Sequence, residues 1–472
     1  MFYGRKRELK ELEKFFDKKT ASLIVIKGRR RIGKSTLVGQ FAKGTRFLPF
    51  IGLPPTEKTT RKSQIDLFSR QLSALCQLPQ ASYEDWDDLF QMLAAQTKEK
   101  RVIILLDEIS WMGSKDPDFL GKLKNAWDLS FKKNKKLILI LCGSVSAWIE
   151  KNILSSTGFM GRISYAMTLK ELSLEECNEF WRGGGAKVSV YEKFKILAVT
   201  GGVPRYLEEI NPNRTAEANI RDLCFKQGGI LTTEFDHIFH DLFSKRGTFY
   251  KEIVQILVDG PQDYTTLANL LGKKPTGFLT SYLTDLVQAG FISRDFSWHF
   301  KEGKEGLLSH YRLSDNYLRF YLKYIDKIKN KIAQNAFDEE SFIDQQSTIM
   351  GLQFENLVLN NRSLVLEALG IRLEDVVSHN PYCQRKTARS EGCQIDYMIQ
   401  TKFNNLFVCE IKFSTKPVEP TVIKEVRTKI SRLILPKGFS CWPVLVHVNG
   451  VSESVEDAGY FSKIIDFGRY LA

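Results

Sequence analysis

Leu23-Ile24-Val25-Ile26-Lys27-Gly28-Arg29-Arg30-Arg31-Ile32-Gly33-Lys34-Ser35-Thr36 is the stretch on which the reading of this sequence turns. Its apolar start reads as a buried strand, and the residues from Lys34 to Phe41 read as a helix. Between them lies the spacing GxxxxGK[ST], at the strand-to-helix junction where that pattern has a mechanism. Glycines let the loop wrap closely, so that its N–H groups and the helix N-terminus hold phosphate oxygens. Gly28, Arg29, Arg30, Arg31, Ile32 and Gly33 then form a cradle for a nucleotide, expected to be ATP. In that cradle Lys34 reaches the β and γ phosphates, Ser35 holds Mg²⁺ and Thr36 supports the α-phosphate end.

A second motif follows in Val102-Ile103-Ile104-Leu105-Leu106-Asp107-Glu108, a buried strand ending in two acids. Ligands of open α/β sheets bind at the carboxyl ends of the strands, so Asp107 is expected in the Mg²⁺ shell, with Glu108 orienting and deprotonating an attacking water. Leu137 to Cys142 is a further core strand. Ser144 just beyond it reads either as a γ-phosphate sensor or as an ordinary strand-end turn. Arg162, after Gly161, reads either as an arginine finger acting on a neighbouring subunit of a homo-oligomer or as a surface ion pair.

The chain has 472 residues, more than one hydrophobic core usually supports, so roughly two to four domains are expected. Strands and helices alternate through the first half, which implies a parallel sheet covered by helices. The expected organisation is a P-loop core over 1–170, a helical lid over 171–245, a winged helix-turn-helix over 246–302, a helical connector over 303–345 and an α/β domain over 346–472. The winged helix rests on helices at Tyr250–Val258, Thr265–Leu271 and Thr276–Ala289, with Phe291–Ser293 and Trp298–Phe300 as wing strands. Tyr311–Ile325 reads as a continuing helix. Lys273, Lys274 and the helix from Thr276 would present a basic end to DNA, or the module docks protein.

Lys and Arg outnumber Asp and Glu by 68 to 55, a net charge of +13 that favours polyanion partners. No stretch approaches the roughly 20 apolar residues that span a bilayer, and the start of the chain lacks a secretory signal pattern, so a cytoplasmic address with no membrane is expected. The eight cysteines are scattered singly, without metal-ligand spacing, and are expected to be reduced thiols.

Phe2-Tyr3-Gly4-Arg5 with Glu8-Leu9, the P-loop, Leu106-Asp107-Glu108, Gly143-Ser144, Gly161-Arg162 and Thr200-Gly201-Gly202-Val203-Pro204-Arg205-Tyr206-Leu207 occur in that order. Together they resemble the archaeal-type ATPase family, a branch of the AAA+ and STAND-like P-loop proteins. Tyr311-Arg312-Leu313-Ser314-Asp315-Asn316-Tyr317-Leu318-Arg319-Phe320 resembles a C-terminal domain that such proteins often carry. The resemblance implies that Phe2, Gly4 and Arg5 line the adenine pocket, and that Pro204, within Gly202-Val203-Pro204, contacts the base or senses the nucleotide. The same stretch also reads as a helix-breaking turn.

Near the end, Gln394-Ile395-Asp396-Tyr397-Met398-Ile399 and Leu406-Phe407-Val408-Cys409-Glu410-Ile411-Lys412 read as neighbouring strands. Glu410 and Lys412 share a face, and Asp396 joins them across a hairpin. The spacing resembles the PD-(D/E)XK nuclease fold, which implies Asp396 and Glu410 as Mg²⁺ ligands, Lys412 as the water-activating lysine and Glu355 as the helical glutamate of many members. The domain then either cuts DNA, RNA being a second substrate, or keeps only nucleic-acid binding. Lys424, Arg427, Lys429 and Arg432 lie on a helix that faces phosphates or solvent. Two other readings stand beside an ATPase coupled to DNA: an ATP-switched assembly protein whose tail binds a partner, and a regulator using the winged helix alone.

Overall fold

Parallel strands need both faces covered, and the central strands of the N-terminal half are accordingly apolar along their whole length. In the computed structural model, which describes residues 2–98, 100–185, 187–243, 247–273, 277–336, 347–388 and 391–472, the chain divides into two units, Met1–Glu171 and Leu172–Ala472. The first unit holds a sheet of β1 (Ser22–Lys27), β2 (Arg46–Ile51), β3 (Val102–Asp107), β4 (Leu137–Gly143) and β5 (Ile163–Thr168). The order is β2-β3-β4-β1-β5 and every pairing is parallel.

Alternation along the strands sorts the core into two layers. Leu23 and Val25 of β1 join Ile104, Leu106, Leu139 and Leu141 on one face, under helices Arg61–Cys76, Trp86–Ala95 and Phe119–Leu129. Ile24 and Ile26 join Ile103, Leu105, Ile138 and Ile140 on the other, covered by helices Lys6–Glu13 and Lys34–Phe41. Because β4 lies between β1 and β3, the P-loop strand and the acidic strand are second neighbours, and the end of β4 comes between their carboxyl ends.

The second unit begins with helical segments, among them Val190–Thr200. Buried residues from Leu172 to Ile210, expected as a lid, share one core with Phe354, Val358, Tyr397 and Val446 of the C-terminal region. Helix Gly247–Ile256, short strand β6 (Gln262–Asp263), helix Tyr264–Leu270 and helix Gly277–Ala289 follow. Lys274 and Thr276 lie outside the described residues, as does 337–346 of the expected connector. The two expected wing strands are one strand, β7 (Ile292–His299), paired with β8 (Lys304–Leu313). Gly303, with φ 63°, makes the turn between them, and Tyr311–Leu313 is therefore strand rather than helix. Helix begins only at Asn316, where Asp315 accepts the Leu318 N–H at 2.9 Å as its cap.

The last sheet runs β13-β12-β11-β10-β9, with β9 (Val376–Gln384), β10 (Cys393–Thr401), β11 (Asn405–Phe413), β12 (Ser440–Val448) and β13 (Lys463–Asp466). β9, β10 and β11 are antiparallel neighbours, whereas β11, β12 and β13 are parallel. The β7 hairpin is built onto this sheet: Trp298 and Phe300 are buried against Tyr382, Ile395 and Met398, and the Trp298 indole N–H donates to Gln400 at 2.6 Å. All eight cysteines are free. Among the described residues no helix is long and apolar enough to cross a membrane.

Candidate functional site: a phosphate cradle and two acid pairs

The P-loop leaves β1 through Gly28, whose backbone passes so close to Leu169 that an added Cβ would stand 2.4 Å from its carbonyl oxygen. Gly33 (φ 85°) closes the loop, and helix Lys34–Phe41 starts at once. Arg31 also has a positive φ, 68°, so the turn is formed by a residue for which that region costs free energy. The Lys34 ammonium is buried and donates to the carbonyls of Gly28 and Arg29, each at 3.0 Å. Arg29 pairs with Glu171 at 3.1 Å.

At the end of β3, Asp107 accepts a hydrogen bond from the Ser35 hydroxyl and, at 3.0 Å, from the Glu108 N–H. An alcohol and a carboxylate side by side form a donor set for a hard, oxygen-ligated cation such as Mg²⁺. Glu108 sits in the left-handed region (φ 51°), which turns its side chain toward the end of β4. There Ser144, buried, donates to Glu108 Oε2 from its N–H at 3.1 Å and from its hydroxyl at 2.9 Å. The sheet order thus brings Lys34, Ser35, Asp107, Glu108 and Ser144 to one edge. Lys27, at the end of β1, pairs with Glu150, a contact that no motif signalled.

Arg5 also meets the loop. It stands at φ 60° after Gly4 (φ 64°), and its buried guanidinium donates to the carbonyl of Ile32 at 3.0 Å and to that of Lys170 at 2.7 Å. Phe2 packs on the core face beneath. Arg162 is outside the cluster: Asp128 holds its Nε and Nη2 at 2.8 to 3.1 Å, and that guanidinium keeps the Asp128 carboxyl well below the usual carboxylate range. Gly201 (φ 58°) ends helix Val190–Thr200 and Pro204 opens the next helical turn, both in the second unit. Arg205 there pairs with Glu209 at 2.6 Å.

The second acid pair is built on β10 and β11. Ile395 pairs with Tyr382 and Met398 with Asn380, so β10 carries one extra residue at Asp396-Tyr397, a bulge that re-aims the Asp396 carboxylate. Asp396 Oδ2 accepts the Ile411 N–H at 3.0 Å. Glu410, 2 % exposed, takes Lys412 on Oε1 at 3.1 Å, and Lys412 also reaches Glu425 at 2.7 Å. The lysine between the two acids is Lys429, from helix Thr421–Arg432: its ammonium is 2.6 Å from Glu410 Oε2 and 3.3 Å from Asp396 Oδ1. Of the basic residues on that helix, Lys429 turns inward, whereas Lys424 and Arg427 are exposed.

Burial and the nearby Glu410 push the Asp396 carboxyl up despite Lys429. Burial opposes the Lys429 charge, but Asp396 and Glu410 outweigh it, so its pKa lies above the ordinary lysine value. Glu355, on helix Ser347–Asn360, is raised to about 7 by burial first and by Asp396 second. Beside the pair opens a cavity of about 690 Å³ lined by Asp396, Lys429, Arg432, Arg385, His310 and Gln394. The Tyr311–Phe320 motif is structural here. Arg319, fully buried, donates to the Leu313 carbonyl at 2.7 Å, Asn316 to the Gln353 carbonyl at 3.1 Å, and Arg312 pairs with Asp295 at 2.9 Å.

Residues 2–210 match the model of a family described as an ATPase domain predominantly from Archaea. An uncharacterized protein of Methanocaldococcus jannaschii is 27% identical over 358 residues, 76% of each chain, and so the likeness extends beyond the matched domain. An uncharacterized ATP-binding protein of the same organism is 41% identical over 46 residues, 10% of this chain and 78% of its own. Among solved structures, a Walker-type ATPase of Pyrococcus abyssi superposes with a TM-score of 0.52 at 16% identity, over 68% of this chain and 96% of that one, a likeness of fold. The parallel sheet, the loop at the end of β1 and the family match agree: residues 2–210 match an archaeal-type ATPase domain, and the sheet and P-loop of that match lie in the first unit.

Proposed function

We propose that the chain hydrolyses ATP and couples its nucleotide state to the binding and cutting of DNA by the C-terminal acid pair. In the first step Lys34 carries positive charge to the β and γ phosphates. It is free to do so because neutral carbonyls, not carboxylates, hold it. Ser35 and Asp107 are the residues that would hold Mg²⁺, which supplies charge neutralisation at the phosphates. Glu108 takes the proton of the attacking water as its oxygen bonds the γ phosphorus, releasing ADP and phosphate. Ser144 fixes the orientation of Glu108 through its two hydrogen bonds.

For the second activity, Asp396 and Glu410 would hold a divalent cation, which supplies Lewis acidity at a phosphodiester. Lys412 stays beside Glu410 as the water-orienting group. The carrying observation is that acids from two strands and lysines from a strand and a helix converge beside a cavity lined by Arg385 and Arg432. DNA contact is assigned to this cavity and not to the winged-helix hairpin, because Trp298 and Phe300 are committed to packing on the sheet.

Matched assays of ATP turnover and plasmid cleavage, on wild type and on Lys34→Ala and Asp396→Ala variants, test the two sites separately. Lys34→Ala is expected to lose turnover, and Asp396→Ala to lose Mg²⁺- or Mn²⁺-dependent cutting alone. Cutting that survives both Asp396→Ala and Lys412→Ala removes the nuclease from this proposal.

A further inference from the structure

Each carboxylate of the C-terminal pair divides its two oxygens between different partners. Asp396 Oδ2 is committed to the Ile411 backbone N–H, and Glu410 Oε1 to Lys412. Oδ1 of Asp396 and Oε2 of Glu410 are the two left to share a cation, and both are taken by a single ammonium, that of Lys429. Lys429 is only 26 % exposed, comes from a separate helix, and also lines the basic cavity with Arg385 and Arg432. Its helix is pinned by Val422, Ile423 and Val426, so the four-carbon stem, not the helix, is what is free to move.

From this arrangement we infer that Lys429 is a built-in, displaceable counter-ion: it occupies the cation position between Asp396 and Glu410, and yields it to a divalent cation by swinging toward the cavity, where its charge meets a phosphate. The inference rests on the proposed metal-dependent reading of the same acids. It has a physical rationale, since two neighbouring carboxylates without a cation repel, and an internal ammonium offsets that repulsion and holds them in register. Cation binding then competes with an intramolecular contact, so the apparent affinity is lowered by the fraction of molecules in which the contact is open. Phosphate binding favours the open position of Lys429, and cation and phosphodiester therefore bind with positive coupling.

Calorimetric titration of Mn²⁺ into the full-length protein, without nucleotide, tests this, with Asp396→Asn as the blank for binding elsewhere. Lys429→Met and Lys429→Gln are expected to bind Mn²⁺ about tenfold or more tightly than wild type, as follows if the contact is closed in about nine molecules in ten. A short non-cleavable phosphorothioate duplex is expected to tighten Mn²⁺ binding to wild type and to do so less in the Lys429 variants. Thermal melts identify a variant that fails to fold, and the Gln variant keeps the hydrogen-bonding stem if the Met variant does. Equal or weaker Mn²⁺ binding in both folded variants overturns the counter-ion role while leaving the acid pair as a metal site. No binding above the Asp396→Asn blank in wild type or either variant overturns the metal site and the inference with it.

Discussion

Lys34 and Lys429 are both largely buried lysines beside an acid pair, yet they are held in opposite ways. Lys34 is gripped by two backbone carbonyls of its own loop, neutral partners that fix the ammonium while leaving its net charge available to a ligand. Lys429 is gripped by two carboxylates, which neutralise it. A loop that folds around a ligand can thus present charge ready-made, whereas a site assembled from a bulged strand, its neighbour and a distant helix balances its charges internally. Ready-made charge suits a ligand that is itself a polyanion, and internal balance suits a site that must remain folded between encounters.

The most severe break in that contrast is expected from Asp396→Ala. It leaves Glu410 with Lys412 and Lys429 alone, and divalent-cation-dependent cleavage of plasmid DNA should fall below detection while ATP turnover stays near wild type. Joint loss of both activities in a folded variant would mean that the acid pair also serves ATP turnover and is not a separate centre. On the other side, Lys34→Ala removes the charge assigned to the β and γ phosphates, and a drop in ATP turnover of roughly 10²–10³ is expected, the scale of losing one well-placed electrostatic donor. Retained turnover in a steady-state phosphate-release assay would show that a different cation serves the γ-phosphate.

How much of this could be read from the chain follows the same division. The P-loop and the strand ending in Asp107-Glu108 were legible because each is a contiguous motif, and hydrophobic runs such as Leu137–Leu141 announce buried parallel strands. The Glu108–Ser144 contact follows from sheet order, which a sequence motif does not state. In the C-terminal domain the Asp396, Glu410 and Lys412 spacing was visible, whereas β9 was not: Val376–Gln384 carries a single buried residue, Tyr382, and looks like loop. The hairpin of β7 and β8 was missed because Phe300-Lys301-Glu302-Gly303 reads as an unremarkable charged stretch, although Gly303 turns it. Lys429 left one trace. It follows Val422 and Val426 at helical spacing, so a lysine stands on the apolar stripe of its helix where solvent is not the expected neighbour.

A smaller effect sharpens the internal balance. Glu355 titrates at about 7 in the folded protein, against an ordinary value of 4.5, because burial and Asp396 disfavour its charge. The folded state therefore holds this proton more tightly than the unfolded chain, and stability falls as pH rises from about 4.5 to about 7. Glu355→Gln cannot lose a proton, so its stability relative to wild type should improve on going from pH 5 to pH 8, by on the order of 2 kcal/mol in urea unfolding. A pH-independent difference would show that Glu355 is already ionised at pH 5.

The least change is expected at Arg162. Its guanidinium is occupied by Asp128, which also draws in Lys132 at 3.2 Å and Lys124 at 3.5 Å, so one carboxylate is shared by three cations. Removing one of the three leaves Asp128 with two partners, and Arg162→Ala should leave ATP turnover unchanged. An arginine that reached a neighbour's γ-phosphate would behave otherwise: its loss would lower turnover by about 10³ or more. It would also have to leave Asp128 to do so. An Asp128→Asn variant, which loosens that hold, should then raise turnover if the guanidinium works elsewhere, and leave it alone if the pair only ties helix Phe119–Leu129 to the loop before β5.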